Sequence, residues 1–281
     1  WAPDAVAFPT TEADVVALIA AAARHGIAVI PFGGGSNVVG CLEAMPGTTR
    51  PTLSVNMRGM ARLISLDETS GLATVEAGIL GPDLEEALDQ HGFTFGHLPD
   101  SFMHSTVGGW VATRSSGMLS DGYGNAEDRV AAVRLVTPTG VVVSKPAPHS
   151  SAGPDLNRVV AGSEGALGIL TEVTLVVRKS PQVRAGRAVL FPAFERGLES
   201  MREVRAAGLH PVASRLHAPR KTQLSSAFRR VSASDRYVAP IVKAILRRER
   251  GVDLSSVNLM VNVYEGSPQA VTQQRRSGEA I

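Results

Sequence analysis

Residues 27–37 read Ile-Ala-Val-Ile-Pro-Phe-Gly-Gly-Gly-Ser-Asn, a short apolar segment that runs directly into three glycines. The apolar part predicts a buried strand that ends near Phe32. Glycines after such a strand leave backbone N–H groups unhindered, and these groups can surround a phosphate oxygen. The loop has neither the Lys-Ser/Thr of a Walker loop nor the GxGxxG spacing of the dinucleotide fold. A pyrophosphate site and a plain turn therefore both fit these residues.

Helical and extended patterns alternate on both sides of this loop. Residues 11–25 predict a helix, because Thr10 or Thr11 can cap it, Asp14 falls in its first turn and Gly26 can end it. Further along the chain, strands are predicted at 52–56, 63–67 and 72–77, and a helix at 82–90.

A hairpin disfavours a simple doubly wound parallel sheet. The apolar runs 129–137 and 141–145 flank Pro-Thr-Gly at 138–140, so these two strands are predicted to be antiparallel. Residues 168–179 predict one long strand. The fold class that follows is α+β.

A second domain is predicted after a boundary near residues 179–187, where Ser180 and Pro181 interrupt the pattern. Its predicted strands are 188–191, 211–216 and 257–264, and its predicted helices are 194–207 and a basic stretch at 222–250.

Composition narrows the function classes. The chain has 281 residues, of which 44% are hydrophobic, so a disordered protein is excluded. Aromatic residues make up only 5%, which argues against a nucleic-acid binder built on aromatic platforms. The longest apolar run, Val15 to Ala23, is far shorter than the roughly 18 residues of a membrane span. We therefore expect a soluble protein without a nucleic-acid partner.

The single cysteine and the first residues bear on the compartment. Cys41 cannot form an internal disulfide, and one thiol excludes a thiolate-rich metal site. The chain opens at Trp1 with no basic segment before an apolar core, so no secretory signal is expected and the true start is expected upstream. These features favour a reducing compartment such as the cytoplasm.

Charge is distributed unevenly along the chain. Residues 1–180 contain 11 basic and 18 acidic side chains, a balance of −7, whereas residues 181–281 contain 17 and 8, a balance of +9. The basic part suits a phosphate, an acyl product or a peripheral contact with a lipid surface. A solvated basic face explains the same numbers.

Two more glycine clusters lie at residues 162–168 and within 105–123. Together with the loop at 33–35, they suggest an extended ligand, longer than a mononucleotide, threaded between three segments. The alternative for each cluster is close packing and turns.

Several isolated residues invite other functions. Ser163 stands in Ala-Gly-Ser-Glu-Gly, which imitates a nucleophile elbow, but a helical stretch leads in and a strand leads out, the reverse of the required order. His91, His97 and His104 lack zincin spacing and are interpreted as surface or loop histidines. Arg215, at the end of a predicted strand, can clamp a phosphate or carboxylate or can be an exposed sheet residue.

These stretches together resemble the flavoproteins of the vanillyl-alcohol oxidase superfamily, and within it the alkyldihydroxyacetonephosphate synthases. The segments that carry the resemblance occur in the family's order: PFGGGSN at 31–37, PDS at 99–101 followed by STVGGW at 105–110, TRSSGM at 113–118, YGNAED at 123–128 and GSEGALGIL at 162–170.

The resemblance implies a PCMH-type FAD-binding domain of two α+β subdomains over residues 1–182 and an antiparallel-sheet cap domain over 183–281, continuing past the given chain. By the same implication, FAD is held by Pro31, Phe32, Gly33, Gly34, Gly35, Ser36 and Asn37; by Asp100, Ser101, Phe102, Met103, His104, Ser105 and Thr106; by Thr113, Arg114, Ser115 and Ser116; and by Glu164, Gly165, Ala166, Leu167, Gly168, Ile169 and Leu170. Arg215 matches the family's active-site arginine, although the residues after it, Leu-His-Ala-Pro, depart from the family's Leu-Met-Asp-Asn.

The family's reaction replaces the acyl group of acyl-dihydroxyacetone phosphate with a fatty alcohol, which gives an ether lipid without net oxidation. Its acid/base tyrosine and histidines are expected beyond Ile281. We expect FAD to be noncovalent, because Ser36 and Asn37 stand where covalent relatives place a histidine. The alternatives are an FAD oxidase or dehydrogenase of a 2-hydroxy acid and an FAD-binding remnant without activity. We also expect a homodimer and, in a eukaryote, a peroxisomal location.

Overall fold

A computed structural model describes residues 2–44, 47, 49–147, 152–221 and 256–279. The chain forms two compact units. The first contains Trp1–Ser120 and Gly124–Ser180, and the second contains Asp121–Tyr123 and Pro181–Ile281. The basic helix predicted at 222–250 lies outside the described residues.

The first unit alternates short strands and helices. Its strands are β1 (Ala5–Ala7), β2 (Ala28–Phe32), β3 (Thr52–Asn56), β4 (Leu63–Asp67), β5 (Leu72–Glu76), β6 (Phe93–Thr94), β7 (Val130–Thr137), β8 (Gly140–Val143), β9 (Ile169–Val176) and β10 (Arg178–Lys179). Its helices are α1 (Glu12–His25), α2 (Gly81–Asp89), α3 (Val107–Ala112) and α5 (Leu156–Val160), while α4 (Ser120–Tyr123) leads into the second unit.

Helix α1 begins and ends where the sequence predicts. Thr11 is the cap: its side chain accepts from the Asp14 amide, and the Asp14 carboxylate accepts from the Thr11 amide, so each satisfies an amide of the first turn. Gly26 ends the helix in the left-handed region, at φ 66°.

Two main sheets form the first unit. The smaller is parallel, in the order β1-β3-β2, and the glycine loop follows directly after β2. The larger is antiparallel, in the order β4-β5-β9-β7-β8, and contains the predicted hairpin. The unit contains helices together with both parallel and antiparallel strands, which confirms the α+β class.

The prediction of a single strand over 168–179 is wrong. Strand β9 ends at Val176, which pairs with Leu72, the first residue of β5. Beyond this point the partner strand has run out, and the chain pairs instead with β6 through β10. Strand length here depends on the partner strand.

Two apolar clusters stabilise the first unit. The larger contains residues of the five-stranded sheet and of α2 and α3, among them Leu84, Leu88, Trp110 and Val173. The smaller lies under α1 and contains Val15, Ile19, Val55, Met57, Met60, Val136 and Ile169. Beside it, Glu12 binds Arg134 and the Thr171 hydroxyl, which ties α1 to the sheet.

The second unit contains a three-stranded antiparallel sheet with two helices. Its strands are β11 (Val183–Phe191), β12 (Ala213–His217) and β13 (Asn258–Gly266), in the order β11-β13-β12, and its helices are α6 (Phe194–Ala206) and α7 (Pro268–Glu279). Strand β11 is longer than predicted because it pairs along its full length with β13, from Val183 with Gly266 to Phe191 with Asn258. No helix among the described residues has the length and apolar character needed to cross a membrane.

Candidate functional site

The three glycine-rich segments meet in the first unit around one cavity of about 530 Å³. They come from the end of β2, from the stretch before and after α3, and from the loop between α5 and β9. The lining consists of residues 31–39, 41–42, 57, 77, 99–101, 105–106, 108–110, 112–116, 135, 163–165 and 168–170. The chain thus brings together segments that are far apart in sequence.

The first glycine loop contacts the second segment so closely that side chains are excluded. A Cβ on Gly34 would lie 1.6 Å from the His104 carbonyl oxygen, and one on Gly33 would lie 2.2 Å from the Thr106 hydroxyl. Both distances are well inside van der Waals contact. Glycine at these two positions is therefore required by packing.

Backbone strain concentrates at the same cavity. Among the described residues, the non-glycine residues with positive φ are Arg114, at 50°, and Glu164, at 51°, and both line it. A left-handed backbone costs an ordinary residue roughly 1–2 kcal/mol. Such strain is typical of functional sites, where the surrounding structure maintains it.

Hydrogen bonds between α3 and the 162–165 loop maintain these conformations. The amides of Gly162 and Glu164 donate to the carbonyls of Val111 and Ala112, at 3.1 and 2.9 Å. In return, the Arg114 guanidinium donates to the carbonyls of Ala161 and Arg158, at 3.0 and 3.2 Å. Arg114 therefore helps to position the 162–165 loop, whose Gly165 packs closely against Pro31 of β2.

Unused backbone donors line the cavity at the first glycine loop. Within the described residues, the amides of Gly34, Gly35 and Ser36 have no acceptor. The Asn37 side chain accepts from the amides of Val39 and Cys41, which fixes the turn that follows. Three successive free N–H groups form the kind of nest that binds phosphate oxygens.

Two serine hydroxyls of the lining are hydrogen-bonded to the buried rings of Trp110 and His97. The Trp110 indole N–H donates to Ser105 Oγ at 2.7 Å, and His97 Nε2 lies 3.0 Å from Ser115 Oγ. His97 lies in a loop, one of the two expected locations, but it is 1% exposed, so it is not a surface histidine. Burial, and then the Arg129 charge, lower the pKa of His97 to about 4, so its ring is neutral at pH 7.

Other chemistry weighed from the sequence finds little support. No group of three or more potential metal ligands occurs among the described residues. Ser163 lies between helix α5 and strand β9, the reverse of a nucleophile elbow. Partial burial, and then the neighbouring Glu164 carboxylate, raise the pKa of the Cys41 thiol, which disfavours the thiolate.

Most predicted cofactor residues line the cavity, but five do not. Phe102, Met103, His104, Ala166 and Leu167 are absent from the lining. Phe102 packs on Trp110 instead, with ring centroids 6.5 Å apart. Conversely, Val38, Val39, Leu42, Gly108, Gly109 and Trp110 line the cavity and were not predicted. Val38 and Val39 could have been found from the sequence, because they are apolar and directly follow the Ser36-Asn37 turn.

Arg215 lies in the second unit, on β12. Its guanidinium pairs with the Asp121 carboxylate, which also accepts from the Ser214 amide at 2.9 Å. Ser214 bonds to Asn262 on the adjacent strand, and strand alternation places Arg215 on the opposite face of the sheet from Ser214; Arg215 lies in the middle of β12, not at the strand end that the sequence predicts.

Residues 3–144 match a family model described as an FAD binding domain, which is half of the chain. The chain belongs to this FAD-binding family. FAD is its cofactor.

The chain is also similar to individual proteins along nearly its whole length. It is 39% identical over 97% of its residues to the alkyldihydroxyacetonephosphate synthase of Trypanosoma brucei brucei, and 37% identical over 98% to that of Dictyostelium discoideum. A D-lactate dehydrogenase [cytochrome] of Arabidopsis thaliana is 34% identical over 68% of the chain and 33% of its own length. A solved alkyldihydroxyacetonephosphate synthase superposes with a TM-score of 0.87 at 35% identity, over 98% of this chain and 49% of that one. The chain spans 45% of the length of each of the two synthases compared by sequence.

The residues around the cavity fit FAD. The free amides at 34–36 suit a pyrophosphate. The serine and threonine hydroxyls of the lining suit the hydroxyls of the ribityl chain and the polar atoms of the rings, and the apolar lining residues suit the faces of flat rings. The close approach of Gly34 to His104 leaves this cradle free of side chains at that point.

Proposed function

We propose that the protein is an FAD-dependent synthase that exchanges the acyl group of acyl-dihydroxyacetone phosphate for a fatty alcohol in ether-lipid synthesis. The observation that supports this proposal is the share of the chain over which the similarity extends. Identity to the synthases extends over 97–98% of the chain and so includes the second unit, whereas identity to the D-lactate dehydrogenase covers 68%. In flavoproteins of this kind, chemistry comes from the cofactor, and substrate choice comes from the protein around it.

Within this proposal, the cavity of the first unit holds FAD. The amides of Gly34, Gly35 and Ser36 bind the pyrophosphate, and the Arg114 guanidinium maintains the 162–165 loop through its bonds to the Ala161 and Arg158 carbonyls. When bound, FAD supplies the electrophilic and redox-active ring. The chain's part is to orient that ring and to exclude water.

FAD is proposed to be noncovalent. The Cys41 thiol lines the cavity, but its raised pKa keeps it protonated at neutral pH, and a thiol is a poor nucleophile. Denaturing the purified protein should release all its yellow flavin into the supernatant after precipitation. Flavin that stays with the polypeptide in the native protein but is released from a Cys41→Ser variant would identify a covalent link at this residue and refute the proposal.

Arg215 is proposed to bind the anionic group of the substrate. An arginine presents a planar fork that matches phosphate or carboxylate oxygens, and the Asp121 carboxylate holds one side of this fork in place. The proposal draws support from the match of Arg215 to the synthases' active-site arginine.

The second candidate is an oxidase or dehydrogenase of a 2-hydroxy acid, favoured by the 34% identity to the Arabidopsis D-lactate dehydrogenase. An anaerobic assay separates the two. Release of fatty acid from acyl-dihydroxyacetone phosphate that depends on added fatty alcohol, without net flavin reduction, is expected for the synthase. Bleaching of the flavin by D-lactate or glycolate with release of the keto acid would establish the oxidoreductase instead.

We also propose a membrane contact, a location and an oligomeric state for this activity. The substrates would be lipids, and the basic residues 181–281 support a peripheral contact with an anionic membrane surface. A peroxisomal location in a eukaryote, a cytoplasmic one otherwise, and a homodimer complete the proposal. Co-sedimentation with phosphatidylserine vesicles and sedimentation velocity test the contact and the dimer.

A further inference from the structure

A buried aromatic cluster adjoins the cavity, and one of its members, Trp110, is itself part of the lining. Phe95, His97 and Trp110 are each 2% exposed or less. The rings of Phe95 and Trp110 are nearly parallel at 6.1 Å, and the His97 ring meets Trp110 edge-on at 4.9 Å. Two of these three rings carry a polar atom bonded to a cavity serine.

The bond from Trp110 sets the direction of the Ser105 hydroxyl. An indole N–H can only donate, so Ser105 Oγ accepts with one lone pair and its own hydrogen is directed elsewhere. Ser105 is 3% exposed and lines the cavity, and no acceptor for its hydrogen occurs among the described residues. A buried hydroxyl with an unused hydrogen costs free energy until a ligand supplies an acceptor.

The contact with His97 fixes the position of Ser115 Oγ, while the ring tautomer decides which of the two atoms donates. His97 Nδ1 is buried and has no partner among the described residues, so the ring's one bond to a side chain there is the one from Nε2 to Ser115. The ring cannot rotate freely, because it is packed against both Phe95 and Trp110. Ser115 is therefore held at a fixed point of the lining.

We propose that Trp110 and His97 are positioning residues for FAD: Trp110 directs the Ser105 hydroxyl toward an acceptor atom of the bound cofactor, and His97 holds Ser115 Oγ at a fixed point where it also contacts FAD. The inference rests on the proposed placement of FAD in this cavity. Neither ring touches the cofactor through its polar atom; each acts through its serine. The rings thereby affect cofactor affinity through these two serines.

A double-mutant cycle tests this for Trp110. The dissociation constant of FAD is measured by flavin fluorescence after dilution of the holoprotein, for the wild type, Ser105→Ala, Trp110→Phe and the double variant. Loss of one hydrogen bond raises the constant about threefold to tenfold. We expect each single variant to raise it, and the double variant to be no weaker than Ser105→Ala alone.

Phe95→Leu is the matched control, because it loosens the same aromatic cluster and removes no hydrogen bond to a serine. It should lower the melting temperature while leaving FAD affinity within twofold. Equal loss of affinity in Phe95→Leu and Trp110→Phe, or additive effects in the double variant, would overturn the inference, because either result means that Trp110 acts by packing alone.

The cycle of His97→Gln with Ser115→Ala is independent and serves if Trp110→Phe does not fold. Unchanged affinity in both Ser105→Ala and Ser115→Ala would remove FAD from these hydroxyls and so contradict the proposed cofactor placement as well. Weaker binding in the serine variants with unchanged binding in both ring variants would overturn the inference alone.

Discussion

Replacing Gly34 by alanine perturbs the closest contact at the cavity. The new Cβ would lie 1.6 Å from the His104 oxygen, 2.6 Å from the His104 carbonyl carbon and 2.9 Å from Ser105 Cα, and all three atoms belong to backbone. Since real Cβ contacts essentially never fall below 3.0 Å, the two segments must separate by about 1.4 Å. No rotamer change can relieve this clash.

The Gly34→Ala substitution is expected to lower both the free energy of unfolding and the affinity for FAD. Overpacking of this kind costs about 1–3 kcal/mol of the free energy of unfolding. The displacement also moves the free amides of 34–36 away from the Ser105 and Thr106 side of the cavity, so interactions with FAD on both sides cannot form together. Losing one charged hydrogen bond to the pyrophosphate, about 1.5–3 kcal/mol, corresponds to a tenfold to hundredfold weaker binding of FAD.

Two measurements check this expectation in the purified protein: the FAD dissociation constant and the urea midpoint of the flavin-free form. Gly186→Ala is a control with open space and an extended backbone, and Gly26→Ala adds left-handed strain without any contact within 4 Å. Both controls should bind FAD normally. A Gly34→Ala protein with native FAD affinity and native stability would show that the two segments are not packed as described, and the reasoning would fail.

Two further predictions concern charged residues. Hydrogen bonding from Arg134 lowers the pKa of Glu12 below its ordinary value of 4.5, so the ion pair stabilises the fold fully above pH 4.5 and this contribution is lost as the pH falls through the lowered pKa. Glu12→Gln should therefore cost about 1–2 kcal/mol at pH 7 and progressively less below pH 4.5, as measured by urea unfolding; a pH-independent difference would contradict the assignment. Arg215→Lys keeps the charge but loses the planar fork paired with Asp121, so turnover should fall about tenfold or more at unchanged flavin content, and unchanged kinetics would make Arg215 a surface residue.

Local chemistry accounts for what could be predicted. Helix α1 was predictable because Thr11, Asp14 and Gly26 act within one turn of its ends. The strands 52–56 and 63–67 were predicted with the observed limits, because their apolar runs are short and bounded by turn residues. The hairpin at 138–139 follows from the same local signals.

The sequence by itself determined the strand that leads into Gly33–Gly34–Gly35, the α+β alternation and the resemblance to FAD-binding proteins. It could not determine that β9 ends at Val176 or that β11 extends back to Val183, because the length of a strand depends on the partner that supplies its hydrogen bonds. Only the tertiary structure brought the glycine loop against His104 and placed Trp110 and His97 behind the cavity serines. The contacts of Gly34 with His104 and of His97 with Ser115 join separate segments of the chain, and side-chain periodicity carries no information about which distant segments will pack together.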